Sequence, residues 1–132
     1  MPLVRMKDMQ AHACDSGYAV GAFDLVSMDF LEAIVSAAVI LYLAESYFDY
    51  FDFELAMPTV EAAARHTSVP VAIHLDHGAS LESAVRAIRL GCNGVMVDAS
   101  HLPFGENLDT TRAVASPAVR VVIWKEVKAC PW

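Results

Sequence analysis

Val69-Pro70-Val71-Ala72-Ile73-His74-Leu75-Asp76-His77-Gly78 is an aliphatic run that stops abruptly in an acid, an imidazole and a glycine. A short apolar block of this kind, without strict polar alternation, is the pattern of a strand covered on both faces. In parallel α/β folds the carboxyl ends of the strands face the ligand crevice. The stretch therefore predicts a parallel sheet, and it puts Asp76 and His77 where a site would open.

Working outward, similar blocks recur at Tyr18–Asp24, Val39–Ala44, Gly94–Asp98 and Val119–Trp124. Helical patterns lie between them. Leu81, Ala84, Val85 and Ile88 share one face at helical spacing, with Ser80 as the N-cap and Gly91 as the stop. Ser27 precedes a helix over Met28–Ala38, and Asn107 precedes one over Leu108–Ser116. Pro58 suits the first turn of a helix near Met57–His66, and a helix over Val4–Cys14 completes the set. Strand alternating with helix at roughly 25–30 residues per unit predicts an α/β chain of parallel (β/α) units.

A closed β/α barrel takes eight strands and typically ~250 residues, and about five strands are legible here. The expected architecture is one domain over residues 1–132, an incomplete TIM-type barrel. Its two lateral edges would lack partners, which favours a homo-oligomer. Two joints look abbreviated: the helix ending at Ala38 runs directly into Val39, and Ser116-Pro117-Ala118 is a brief return to Val119. No repeat, linker or low-complexity tract interrupts the chain.

Composition narrows the partners. Sixteen acids against nine bases give a net charge of −7, which opposes nucleic-acid backbones and anionic membranes. The longest apolar stretch, Ala33 to Ala44, is well short of the ~20 residues that span a bilayer. No secretory signal follows Arg5, Lys7 and Asp8, so a cytoplasmic location is expected. Cys14, Cys92 and Cys130 are widely spaced and never form a Cys-x-x-Cys pair, which predicts small or free thiols rather than a disulfide framework or thiolate metal site.

The pattern aliphatic-Pro-aliphatic-x-aliphatic-His-x-Asp-His-Gly, carried by Val69–Gly78, resembles the first signature of the zinc-dependent class II aldolases that cleave fructose or tagatose bisphosphates. The block Val97-Asp98-Ala99-Ser100-His101, followed by Asn107-Leu108, resembles the family's next strand end and helix start. Tyr18–Asp24 resembles its first strand, which usually ends in Phe-Asn; here Asp24 replaces the amide. The resemblance covers about Met1 to Thr111. Beyond it, only Glu126-Val127 matches the family's later Glu-x-Glu-aliphatic-Gly signature.

The resemblance implies an amino-terminal portion of an aldolase of carbohydrate metabolism and glycolysis, acting on a phosphorylated ketose, with Zn2+ as cofactor and little activity from this stretch alone. It implies His77 as a zinc ligand and Asp76 as the group exchanging a proton with oxygen at the carbon being cleaved. Zinc would act as a Lewis acid on the ketose carbonyl. Asp98 would lie near the metal as an auxiliary ligand, or else cap its own turn with Ser100. Glu126 is a further metal candidate, and Asp24 and Ser46 are substrate-contact candidates.

Alternatives stand beside these assignments. His74 reads as a core or supporting histidine, His12 and His66 as surface or capping residues, and His101 as part of its loop. The stretch Tyr47–Phe53 reads equally as an aromatic packing loop. For the chain as a whole, the competing reading is a non-catalytic half-barrel that self-associates, with a metal-dependent hydrolase as a third.

Overall fold

The computed structural model describes residues 3–50 and 52–115, together with the backbone of Val122 and Ile123. Five strands form one parallel sheet in sequence order: β1 (Gly21–Asp24), β2 (Val39–Ala44), β3 (Val71–Gly78), β4 (Gly94–Val97) and β5 (Val122–Ile123). The helices are α1 (Met6–Ser16), α2 (Asp29–Ile34), α3 (Phe53–His66), α4 (Leu81–Arg89) and α5 (Phe104–Val114). This is the expected run of β/α units. Of the predicted strand Val119–Trp124, only Val122–Ile123 falls within the described residues.

Alternation along β3 decides the layering, because successive side chains of a strand leave opposite faces. Val71, Ile73 and Leu75 are buried in one cluster with Met57, Val60 and Ala64 of α3 and Ala84 and Ala87 of α4. Ala72 joins a second cluster with Ile40 of β2 and Met6 and Met9 of α1. The helices α3 and α4 thus cover the outer face, while α1 closes the lower part of the inner face. Asn93 finishes the lower end of β3: its Oδ1 accepts from the Ile73 N–H at 2.9 Å and its Nδ2 donates to the Val4 carbonyl at 2.7 Å.

Several boundaries differ from those read in the sequence. The helix expected to reach Ala38 ends at Ile34, and the chain turns through residues 35–38 before β2. The joint is therefore of ordinary length, made by giving up a helical turn. Thr67 fixes that turn through a 2.7 Å hydrogen bond to the Val35 carbonyl. Helix α3 starts a turn earlier than expected, since the Asp52 carboxylate accepts from the Leu55 N–H at 3.0 Å. Pro58 consequently lies inside the helix rather than in its first turn.

Asn107 does not cap α5. It lies within the helix and donates to the Ala99 carbonyl at 2.8 Å, tying the helix to the preceding loop. Ser80, by contrast, caps α4 as predicted, accepting from the Ser83 N–H at 3.0 Å. Gly91 follows α4 with φ of 108°, a conformation that glycine adopts at little cost. The free-thiol reading holds for Cys92, which is buried with its thiol pushed up to about 12, but not for Cys14, which is disulfide-bonded.

Candidate active site

The carboxyl ends of the strands bring Asp24 from β1, Glu45 beyond β2, Asp76 and His77 from β3 and Asp98 after β4 to one rim of the sheet. The register supplies the detail. Asp24 pairs with Tyr42 and Tyr42 with His74, so these three share a row on the inner face; Asp76 lies one step further, opposite Ala44.

Strand β3 does not run straight to its end. Its pairing with β4 shifts between Leu75 and Gly78, and His77 occupies the left-handed region with φ of 50°. A bulge of this kind re-aims a side chain that regular pleating would bury. Asp76 keeps to the partly buried side of the rim, while the His77 imidazole is 61% exposed. Gly78 is required beside it, because a Cβ there would lie 2.7 Å from the Leu75 side chain and 3.1 Å from the Met96 carbonyl.

His77 Nδ1–H donates to Asp98 Oδ2 at 2.8 Å. The other oxygen of Asp98 accepts from both the backbone N–H of Ser100, at 3.0 Å, and its hydroxyl, at 2.6 Å. These bonds to Ser100 and then to His77 hold the Asp98 carboxyl well below its usual range. An ionised carboxylate can only accept, so the shared proton resides on Nδ1. The same bond raises the His77 pKa. Asp98 thus caps its own turn through one oxygen, the alternative that the sequence set beside auxiliary metal ligation, and holds the His77 imidazole with the other.

His77 Nε2 faces Asp76 Oδ2 at 3.9 Å. This is beyond hydrogen-bonding distance, so both groups remain available to a third. Burial raises the Asp76 pKa, and the nearby charges of Asp24 and Asp98 act in the same direction, against the opposing effect of His77. Below them, His74 is buried with Nδ1 lacking a hydrogen-bond partner, and burial lowers its pKa to about 4. It is a core imidazole packed against Tyr42, with ring centroids 5.2 Å apart.

Tyr42 escaped the sequence reading, and so did the partners of Glu45. Tyr42 is partly buried on the inner face, its pKa raised by burial and by the charges of Asp76 and Asp24. Glu45 accepts from the Ala79 N–H and the Ser83 hydroxyl, both at 2.6 Å. Its position after a strand was a visible signal; its partners were not. Of the remaining candidates, Asp24 stands exposed at the rim and Ser46 is exposed in the 3-10 turn Glu45–Tyr47. Glu126 lies outside the described residues. His12 is exposed beside Tyr18, His66 bonds the Ala62 carbonyl at its helix end, and His101 is exposed in its loop.

Among the described residues no three His, Cys, Asp or Glu side chains are grouped to hold a metal ion. Nor is any helix among them long and apolar enough to cross a membrane. A cleft of about 410 Å³ lined by Phe48, Asp49, Asp52, Phe53, Glu54 and Arg86 does not include the Asp76–His77 rim.

Comparison with known proteins bears on the family and the fold of the chain. The chain is 45% identical over 127 residues to the "Probable fructose-bisphosphate aldolase" of Bacillus subtilis (strain 168), covering 89% of this chain and 45% of that protein. It is 42% identical over 127 residues to the "Fructose-bisphosphate aldolase" of Staphylococcus aureus (strain N315), covering 89% and 44%. It therefore spans about half the length of these relatives. The fold superposes on the crystal structure of the YdjI aldolase from Escherichia coli K12 with a TM-score of 0.79 and 26% identity, over 86% of this chain and 46% of that one. A fructose-bisphosphate aldolase from Campylobacter jejuni shares the fold with a TM-score of 0.68 at 20% identity, over 92% and 45%. These are barrel enzymes, and the described sheet is a partial barrel of the same kind. Residues 4–129 match the family described as "Fructose-bisphosphate aldolase class-II", and the chain belongs to that family.

Proposed function

We propose that this chain contributes the Asp76–His77 half of a class II aldolase centre, which cleaves a ketose bisphosphate between carbons and re-forms that bond in reverse. The observation that carries this reading is the arrangement of His77, with Nδ1–H held by Asp98 and Nε2 directed toward Asp76. An imidazole whose far nitrogen is fixed by a carboxylate is oriented to offer its other nitrogen to a metal.

The donor set fits zinc in part: His77 is one imidazole ligand, and a catalytic zinc commonly has three protein ligands with one open position. The others would come from outside the described residues, with Glu126 retained as a candidate. When bound, zinc supplies Lewis acidity at the substrate carbonyl. Asp76 exchanges a proton with the substrate oxygen on the carbon being cleaved, and burial shifts its pKa in the direction that favours the protonated form. Asp98, directly after the neighbouring strand β4, orients His77 through its 2.8 Å bond to Nδ1. Asp24 and Ser46 are the proposed substrate contacts, a reading supported by their position at the carboxyl ends of β1 and β2. A cytoplasmic setting and a role in glycolysis accompany this reading.

Replacing His77 with alanine tests the assignment. Zinc content after dialysis and zinc-induced thermal stabilisation should both fall; unchanged values in both would leave His77 as a structural residue. The purified chain itself should show little cleavage of fructose bisphosphate, and clear EDTA-sensitive cleavage would overturn that expectation.

A second reading, a self-associating half-barrel, is favoured by one observation. β1 is paired only with β2 in the described sheet, and Phe23, Val26 and Phe30 nearby are about half exposed, at 54%, 51% and 55%.

A further inference from the structure

The turn carrying His77 is held by a residue that takes no part in the proposed chemistry. A side chain with a Cβ rarely adopts φ of 50°, and such a conformation persists where its surroundings over-determine it. Two of the restraints come from β4: Asp98 receives the His77 Nδ1–H at 2.8 Å, and the Asp98 N–H donates to the Gly78 carbonyl at 2.9 Å. The third comes from the opposite neighbour. Glu45, directly after β2, accepts the Ala79 N–H at 2.6 Å.

Glu45 uses its second oxygen on the same junction, accepting the Ser83 hydroxyl at 2.6 Å. Ser83 in turn lies 2.9 Å from the Ser80 hydroxyl that caps α4. The carboxylate thus grips both the last residue of the His77-Gly78-Ala79 turn and the first turn of the following helix. Charge-assisted bonds of this length are the strong ones, and a bidentate grip fixes direction as well as distance. Without it, Ala79 would be free to turn, and His77 could relax from its left-handed conformation and swing away from Asp98.

We infer that Glu45 is a positioning residue of the aldolase centre: by clamping Ala79 and Ser83 it fixes the turn that points His77 at Asp98 and toward Asp76. The inference rests on the proposed role of His77, and concerns how that role is secured.

The test uses this chain, with amide hydrogen exchange and backbone NMR shifts read alongside zinc titration. In Glu45→Ala the Ala79 amide should lose protection, the left-handed signature of His77 should fade, and zinc affinity should fall about tenfold, at the low end of effects seen for groups that orient a ligand. Glu45→Gln should retain most of both, because its carbonyl still accepts from Ala79 while the Ser83 hydroxyl turns to accept from its amide. Glu82→Gly, which weakens α4 at an exposed position outside the Glu45–Ala79–Ser83 contacts, should leave zinc affinity near the parent value.

An Ala79 amide still protected in Glu45→Ala, with His77 still left-handed, would overturn the inference. So would a loss of zinc affinity in Glu82→Gly equal to that in Glu45→Ala. If Glu45→Ala does not fold, Ser83→Ala removes one arm of the clamp, and an unchanged His77 conformation together with unchanged zinc affinity there would overturn the inference. Unchanged zinc affinity in His77→Ala would instead refute the metal reading, leaving the exchange data to decide on the clamp.

Discussion

His77 and Asp98 are joined across the ends of two adjacent strands by a 2.8 Å hydrogen bond, although twenty-one positions separate them in the chain. The bond gives the imidazole a fixed tautomer, and the two Ser100 contacts keep the carboxylate in place to receive it. Asp98→Ala should therefore weaken zinc binding about 10–100-fold by isothermal titration. Asp98→Asn, which retains an acceptor but not the charge, should fall between that and the parent. Equal affinity in all three would show that the bond orients nothing of consequence.

Gly94 is fixed by its neighbour on β3. A Cβ at this position would stand 2.7 Å from Nδ1 of the buried His74, closer than real contacts allow. Gly94→Ala should cost about 1–3 kcal/mol through local overpacking. Urea denaturation would measure it, and a midpoint within error of the parent would mean that His74 moves aside freely.

His74 should make stability depend on pH in a definite direction. Burial lowers its pKa from 6.5 to about 4, so the folded chain keeps it neutral while the unfolded chain takes up a proton. The unfolded state then binds more protons between these values, and stability rises with pH there. The contribution is complete above about 6.5 and is lost as pH falls toward 4, on the order of 3 kcal/mol in all. Replacement by phenylalanine should flatten that part of the profile; an unchanged slope would assign it to other groups.

Self-association should depend on the apolar residues near β1. An edge strand presents unpaired backbone groups, and here Phe23 and Phe30 stand exposed beside it. Sedimentation velocity should show concentration-dependent association of the chain, reduced in Phe23→Lys. A monomer at all concentrations would remove the support for the half-barrel reading.

Removing the Ser80 cap should cost about 1 kcal/mol, since the Ser83 N–H would lose its 3.0 Å acceptor at the start of α4. The measurement is again the urea midpoint.

Much of this was already present in the order of residues. The aliphatic blocks at Val39–Ala44 and Val69–Leu75 announced buried parallel strands, and the break into Asp76 and His77 marked the carboxyl rim of the sheet. Ser80 and Gly91 bounded a helix because caps and left-handed stops are local devices. Where a stronger partner lay elsewhere in the chain, local reading misplaced the boundary: Asn107 serves the Ala99 carbonyl rather than its own helix start, and the helix near Ala38 yields a turn so that the strand can begin.

Only the tertiary structure decided which groups face one another. Register placed Tyr42 between Asp24 and His74, the bulge after Leu75 turned His77 outward to Asp98, and Glu45 met an amide thirty-four positions away. Periodicity fixes which face of an element is apolar, because that follows from local backbone geometry; pairing between strands depends on how those faces pack together, and no short window of sequence contains that information.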